Sequence, residues 1–318
     1  MKITVIGCGR WGSFIAYYLD KIGHNVTVFG RDWADDYKTL VETRTNGIVT
    51  YRESINLTSD IEEAIKSEVI IISINSQGLR ELCEQLNGLG LSDKTIVLCM
   101  KGLEIGTGCR LTEIVKQTLS STNKVAVWIG PGHVQEFVRE IPNCMVIDSD
   151  DKDVKYKLVD SFSSNVIRFY YGNDLIGNEL GAASKNVIGI AAGMLDGLKL
   201  SSLKGALMSR GTREISRLIK AAGGNELSAY GLCHLGDYEA TVFSEFSHNR
   251  RFGENYVKKI PFDKLAEGYY TVKAILELAE KYDVELPICE AVYKVLYENA
   301  EIEETLKSLF TRSLKSEF

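Results

Sequence analysis

Lys185 is the only charged residue between Glu179 and Asp196, in the run Glu179-Leu-Gly-Ala-Ala-Ser-Lys185-Asn186-Val-Ile-Gly189-Ile-Ala-Ala-Gly193-Met-Leu-Asp196-Gly197-Leu. Gly181, Lys185, Gly189 and Gly193 recur at i, i+4 spacing and share one helical face. A glycine costs a helix about 1 kcal/mol relative to alanine, so three in one stripe mean that something comes close to that face. Two readings fit. In one, helices pack tightly there and the lysine snorkels to solvent. In the other, desolvation makes the ammonium a usable acid or base near neutral pH.

A second polar cluster follows, Gly236-Asp237-Tyr238-Glu239-Ala240-Thr241 and then Ser247-His248-Asn249-Arg250-Arg251-Phe252-Gly253. Asp237 has the charge to orient or balance Lys185. Ser, Asn and Arg together suit an anion cradle, although a polar run of this kind, read alone, is a solvated loop. A third group, Lys101-Gly102 and Gly130-Pro131-Gly132-His133, follows two apolar runs. In an open α/β sheet such loops border the ligand.

These groups need a scaffold, and the N-terminus supplies its signature. Gly7-Cys8-Gly9-Arg10-Trp11-Gly12 comes directly after the apolar run Ile3–Ile6 and opens an amphipathic stretch from Trp11 to Ile22. A G-x-G-x-x-G between strand and helix binds a dinucleotide. Gly7 makes the tight turn, Gly9 admits the pyrophosphate and Gly12 lets the helix pack close. The helix N-terminus receives the anion.

Further β-branched runs, at Asn25–Phe29, Val69–Ile74, Thr95–Cys99, Val125–Ile129, Cys144–Ile147 and Val166–Tyr171, alternate with helical patterns. Such continuous runs suit strands buried on both faces of a parallel sheet. The stretch Gly47–Leu57 breaks this rhythm and reads as a short hairpin or loop. Beyond Asp174 only helical patterns remain, at Asn178–Lys199, on to Ala222, Leu265–Tyr282, Ile288–Asn299 and Ile302–Thr311. The expected fold class is α/β. A Rossmann-type, doubly wound, mostly parallel sheet (residues 1–175) is expected to bind a dinucleotide, and an all-helical domain (176–318) to bind substrate. The site is expected in the cleft between them.

Bulk properties narrow the partners. A chain of 318 residues with net charge −6 is poorly matched to nucleic acid or an anionic membrane. Its seven cysteines form no C-x-x-C and its four histidines no i, i+4 pair, so reduced thiols, a cytosolic setting and no metal site are expected. No apolar run approaches the roughly 20 residues of a membrane span, and the first strand begins too early for a signal peptide.

In order along nearly the whole chain, the motifs resemble the NAD(P)-dependent glycerol-3-phosphate dehydrogenases of the bacterial type. They are Gly7-x-Gly9-x-Trp11-Gly12, Gly30-Arg31-Asp32, Ser76-Gln77-x-Leu79-Arg80, Lys101-Gly102-Leu103-Glu104 and Gly130-Pro131. The Lys185-Asn186 helix, Gly236-Asp237, Asn249-Arg250-Arg251-Phe252-Gly253 and Glu267-Gly268 complete the set. The resemblance implies reversible reduction of dihydroxyacetone phosphate to sn-glycerol 3-phosphate, with NADP or NAD as cofactor. Lys185 would be the proton donor and acceptor at the C2 oxygen, with Lys101, Asp237, Asn186 and Thr241 beside it. The glycines of its face would let the small substrate lie against the helix. Ser247, His248, Asn249 and Arg250 would hold the phosphate, and Gly130 and Gly132 would touch substrate through backbone. Besides Gly7, Gly9 and Gly12, the residues Arg10, Trp11, Arg31, Lys101, Val134, His248, Leu265 and Glu267 would line the cofactor. A cytoplasmic homodimer acting in glycerophospholipid synthesis is implied as well.

Two positions depart from the family pattern. His248 stands where an arginine is usual, and Gly132-His133-Val134 replaces a Ser/Thr-Phe-Ala pattern. The alternative is therefore a dehydrogenase of the same fold acting on another small hydroxy compound, or a pocket in which Arg250 or Arg251 takes over the phosphate. Phe29-Gly30-Arg31 ends the second strand with a cation, which suits a 2′-phosphate, and hence NADPH, or stacking on adenine. Asp32 is the argument for NADH.

Overall fold

The computed structural model describes residues 1–314 and 316. The first half alternates strand and helix: β1 (Lys2–Ile6), α1 (Arg10–Lys21), β2 (Asn25–Phe29), α2 (Asp35–Thr43), β3 (Asn56–Thr58), α3 (Ile61–Ala64), β4 (Val69–Ile72), α4 (Leu79–Gly88), β5 (Thr95–Leu98), α5 (Leu111–Thr118), β6 (Lys124–Ile129), α6 (Val134–Val138), β7 (Asn143–Asp148), α7 (Lys152–Phe162) and β8 (Ile167–Tyr171). The strands form one sheet in the order β3-β2-β1-β4-β5-β6-β7-β8. All neighbours are parallel except β6 and β7. The order 3-2-1-4-5-6 is that of the doubly wound dinucleotide-binding fold, whose ligand crevice lies where the strand order reverses, beyond β1 and β4.

Central strands are apolar throughout because helices cover both faces; every residue of β4 is buried. Trp128, Phe14 and Phe162 are the largest side chains of this core that are fully shielded. Trp128 meets Phe169 edge-on with ring centroids 4.9 Å apart.

The stretch Gly47–Leu57 holds more than a hairpin or loop. Thr45 and Thr50 do form an isolated antiparallel bridge, and the chain then adds the short edge strand β3 beside β2. With three residues, one exposed and one half-buried, β3 carries no apolar run that would mark it as a strand.

The second half is helical: α8 (Leu175–Gly197), α9 (Lys204–Ala221), α10 (His248–Lys258), α11 (Glu267–Lys281), α12 (Pro287–Tyr297) and α13 (Ile302–Phe310). The segment 236–253 is not a solvated loop. It runs through a 3₁₀ turn at Leu235–Asp237 and a π-helical turn at Glu239–Phe243 into α10. Asp237, Tyr238, Thr241 and Val242 within it are buried. Two compact units result: residues 1–101 with 109–179, and residues 102–108 with everything from Leu180 onward. No helix among the described residues is long and apolar enough to cross a membrane.

Candidate active site and dinucleotide cradle

In the first unit the chain leaves β1 through Gly7, whose φ of +113° belongs to glycine. A Cβ there would collide with the carbonyl of Ser73, after β4, and a Cβ at Gly12 would collide with the Gly7 carbonyl. Gly9 is different: a Cβ there meets no protein atom within 4 Å. Gly9 is also the N-cap of α1, with no side chain to satisfy the first-turn N–H groups and no acidic residue in that turn. The cradle therefore has three properties that suit a pyrophosphate: open approach, orphan donors and the positive helix end. Arg10 is exposed at the first position of α1, and Trp11 lies against Phe14 and Phe137, with centroids 5.4 and 6.2 Å away.

Beyond β2, Gly30 is required because the Tyr37 ring occupies the space of any Cβ. Arg31 and Trp33 are both exposed, with the guanidinium 5.4 Å from the indole centroid. Past β5, Lys101 Nζ donates to the Gly130 carbonyl at 2.7 Å, joining the loops after β5 and β6. Gly132 has φ +136°, and its missing Cβ makes room for the Phe137 ring. His133 is the N-cap of α6, and Val134 behind it is buried.

In the second unit Lys185 is 9 % exposed and does not snorkel. Its ammonium sits 2.7 Å from Asp237 Oδ2 and donates to Thr241 Oγ1 at 2.7 Å. Thr241 in turn donates to the Asp237 carbonyl, also at 2.7 Å. The 3₁₀ and π turns carry both partners to the lysine. Removing one member of such a buried pair leaves an uncompensated charge and costs about 3–5 kcal/mol.

Asn186, next along α8, accepts from Asn249 Nδ2 at 3.1 Å. Asn249 Oδ1 accepts from Gly268 N at 2.8 Å. One asparagine therefore links α8, α10 and the start of α11. Ser247 caps α10 by accepting from Arg250 N. His248 is half-buried, with Nδ1 3.2 Å from the Leu265 carbonyl and its ring edge-on to Phe262. Leu265 itself is exposed, and Glu267 begins α11.

Two expectations change. The glycines of the Lys185 face do not receive a small molecule: protein fills the space. A Cβ at Gly189 would stand 2.7 Å from Thr241 Cγ2, one at Gly193 would collide with the Arg250 carbonyl, and one at Gly181 would stand 3.0 Å from His234 Cβ. Tight packing and a buried, carboxylate-paired lysine are thus both true of one helix. Arg250 is held by Asp196 Oδ2 at 2.7 Å, Glu254 Oε2 at 3.0 Å and the Ser244 carbonyl at 3.0 Å. It braces α8 against α10.

Sequence reasoning passed over His234. It is fully buried, with Nδ1 2.8 Å from the Gly181 carbonyl and Nε2 2.7 Å from Tyr238 Oη. Burial pushes its pKa down to about 4, so the ring is neutral. A carbonyl only accepts, so Nδ1 carries the proton and Nε2 accepts from the tyrosine. His234 thereby ties the Asp237 turn to α8 one helical turn before Lys185. The i, i+4 spacing of His234 and Tyr238 was the available signal. Lys204 was missed too; it donates to Asp196 at 2.6 Å and to the Val242 carbonyl at 3.0 Å, anchoring the π turn that carries Thr241.

Comparison with known proteins gives one answer for both units. Residues 2–155 match the model described as NAD-dependent glycerol-3-phosphate dehydrogenase N-terminus, and residues 174–307 match its C-terminus counterpart. The chain is 36% identical over 331 residues to a glycerol-3-phosphate dehydrogenase [NAD(P)+] of Thermoanaerobacter sp. (strain X514), covering 100% of this chain and 99% of that protein. It is 35% identical over 334 residues to the protein of the same name from Prosthecochloris aestuarii, with both chains fully covered. Among solved structures, a glycerol-3-phosphate dehydrogenase from Coxiella burnetii superposes with TM-score 0.92 at 27% identity, over 98% of this chain and 99% of that one.

Proposed function

The chain belongs to the NAD-dependent glycerol-3-phosphate dehydrogenase family, and on that footing we propose that it reduces dihydroxyacetone phosphate reversibly to sn-glycerol 3-phosphate, with Lys185 as the proton donor. The observation that carries this reading is the shielded ammonium of Lys185, fixed by Asp237 and Thr241. A reduced nicotinamide coenzyme supplies hydride when bound. As the ketone carbon accepts it, the C2 oxygen becomes an alkoxide. Lys185 stabilises that charge and gives it a proton, combining electrostatic and general-acid catalysis. In the oxidative direction the neutral amine takes the hydroxyl proton, and Asp237 steadies the ammonium that forms.

The cradle at Gly7, Gly9 and Gly12 holds the pyrophosphate, with Arg10 and Trp11 beside it. Arg31, stacked near Trp33, meets the adenosine end. It supplies a cation where NAD-selective sites place a carboxylate, so NADPH is the preferred coenzyme and NADH the second. Lys101, Gly130, Ser247 and Asn249 bind the substrate and its phosphate, while Arg250 stays with Asp196 and Glu254. In keeping with the family resemblance and with seven cysteines that form no disulfide, the enzyme is a cytoplasmic homodimer.

His248 supports a second reading. Its ring is engaged by Leu265 and Phe262, so no guanidinium occupies that position for a phosphate, and a different small hydroxy compound becomes the substrate. The two readings separate in an assay of NADPH and NADH oxidation against dihydroxyacetone phosphate and related ketones, run on wild type and His248→Arg. Turnover of dihydroxyacetone phosphate at an ordinary kcat/KM by wild type establishes the first. Activity with that ketone only after the arginine is restored establishes the second.

A further inference from the structure

The second unit contains a cavity of about 630 Å³ between α8, α9, α12 and α13, formed by residues other than those placed in the reaction. Leu195, Leu207, Val292, Val295, Leu306 and Leu309 supply its apolar walls. Its volume lies within the range of small-molecule sites.

Along α9 the lining changes character. Leu203 and Leu207 are followed, one turn at a time, by Arg210, Arg213 and Arg217. At 1.5 Å per residue, Leu203 and Arg217 are roughly 21 Å apart along the helix. Arg312 lies at the same end but is neutralised there by Glu285. Both acids that line this end have partners of their own. Glu214 accepts from the Ile288 and Cys289 N–H groups, capping α12, and Glu285 Oε2 is paired with Arg312. Arg210 is exposed at this end. In a chain of net charge −6, an apolar slot ending in a row of arginines calls for a ligand with the matching polarity.

We propose that this cavity binds a single-chain anionic amphiphile: an alkyl or acyl chain of roughly a dozen carbons or more, allowing about 30 Å³ per water-sized group, with a carboxylate or phosphate head. The chain lies among the leucines and valines of α8, α12 and α13. The head meets Arg210, with Arg213 and Arg217 behind it, where a charged hydrogen bond to a guanidinium gives the strongest recognition. The site is independent of the proposed reaction.

The test is calorimetric titration of the whole protein with monomeric decyl phosphate, dodecyl phosphate and dodecyltrimethylammonium, each below its micellar concentration. One dodecyl phosphate should bind per chain, about tenfold more tightly than the decyl homologue, and the cation should not bind. Arg210→Glu, at an exposed position, and Ala291→Phe, which fills the slot, should each weaken dodecyl phosphate at least tenfold while thermal unfolding and ketone reduction stay normal. Equal binding of cation and anion would overturn the proposal. So would binding to anionic vesicles but not to the monomeric phosphate. A third overturning result is loss of self-association in Leu306→Lys with no alkyl phosphate bound by wild type, which would make this face a contact between copies of the chain.

Discussion

Lys185 is held by Asp237 and Thr241, and substitutions there separate the proposed chemistry from folding. Lys185→Ala should lower kcat by about 10²–10⁴, the usual contribution of a positioned acid, while the Kd for NADPH measured by fluorescence stays within a factor of two. It also strands Asp237, so urea unfolding should show a loss of about 3–5 kcal/mol. Lys185→Met with Asp237→Leu should recover most of that stability and none of the activity, because the buried charges go together. Normal turnover in any of these variants would remove the ammonium from the mechanism. His234 acts one step further back. His234→Ala unties the Asp237 turn from Gly181 and should lower kcat with little change in coenzyme affinity. Lys185 and Asp237 were legible as a pair from charge isolation and motif. His234 was not, since its i, i+4 spacing to Tyr238 is common and its other partner, the Gly181 carbonyl, is backbone that carries no side-chain signal.

Helix α8 shows how one sequence feature serves two physical ends. Its glycines admit protein, namely α10 and the turns that carry Asp237 and Thr241. The stripe therefore brings the partners of Lys185 into range. Gly193→Ala drives a methyl group into the Arg250 carbonyl, and the resulting backbone shift should cost about 1–3 kcal/mol in chemical denaturation, with kcat falling as α10 is displaced. Gly9→Ala makes the opposite prediction. With no protein atom near its Cβ, unfolding should change by less than about 1 kcal/mol, the difference between Gly and Ala at an N-cap. Coenzyme Kd should rise about tenfold or more, corresponding to 1.4 kcal/mol, because the pyrophosphate approaches there. A Gly9→Ala protein that binds NADPH normally would show that the cradle is not the coenzyme site.

Across the molecule, two buried groups titrate in opposite senses. His234 has its pKa lowered by burial from 6.5 to about 4. The unfolded chain binds its proton first, so its contribution is present above pH 6.5 and is lost as pH falls through 4. Glu214, buried while it caps α12, is raised from 4.5 to about 7. Its contribution is present below pH 4.5 and is lost as pH rises through 7. Between pH 4.5 and 6.5 the slopes oppose one another, and stability should vary little with pH. Glu214→Gln removes one slope. Thermal melts of that variant should show Tm falling steadily on acidification through this range, where wild type stays level. A level profile in both proteins would mean that the histidine is not buried in solution.

The sequence alone determined the doubly wound sheet, the helical second half and the dinucleotide turn, because buried strands need unbroken apolar runs and a pyrophosphate turn needs glycine at fixed spacing. It also singled out Lys185, since one charge in an apolar helix demands a partner. Only the tertiary structure decided what fills the glycine face, that Arg250 braces two helices, and that His234 and Lys204 anchor the turns around the Lys185 ammonium. Those outcomes depend on contacts between residues tens of positions apart, each of modest worth alone. β3 belongs with them: three residues with little apolar character become a strand because β2 offers its edge.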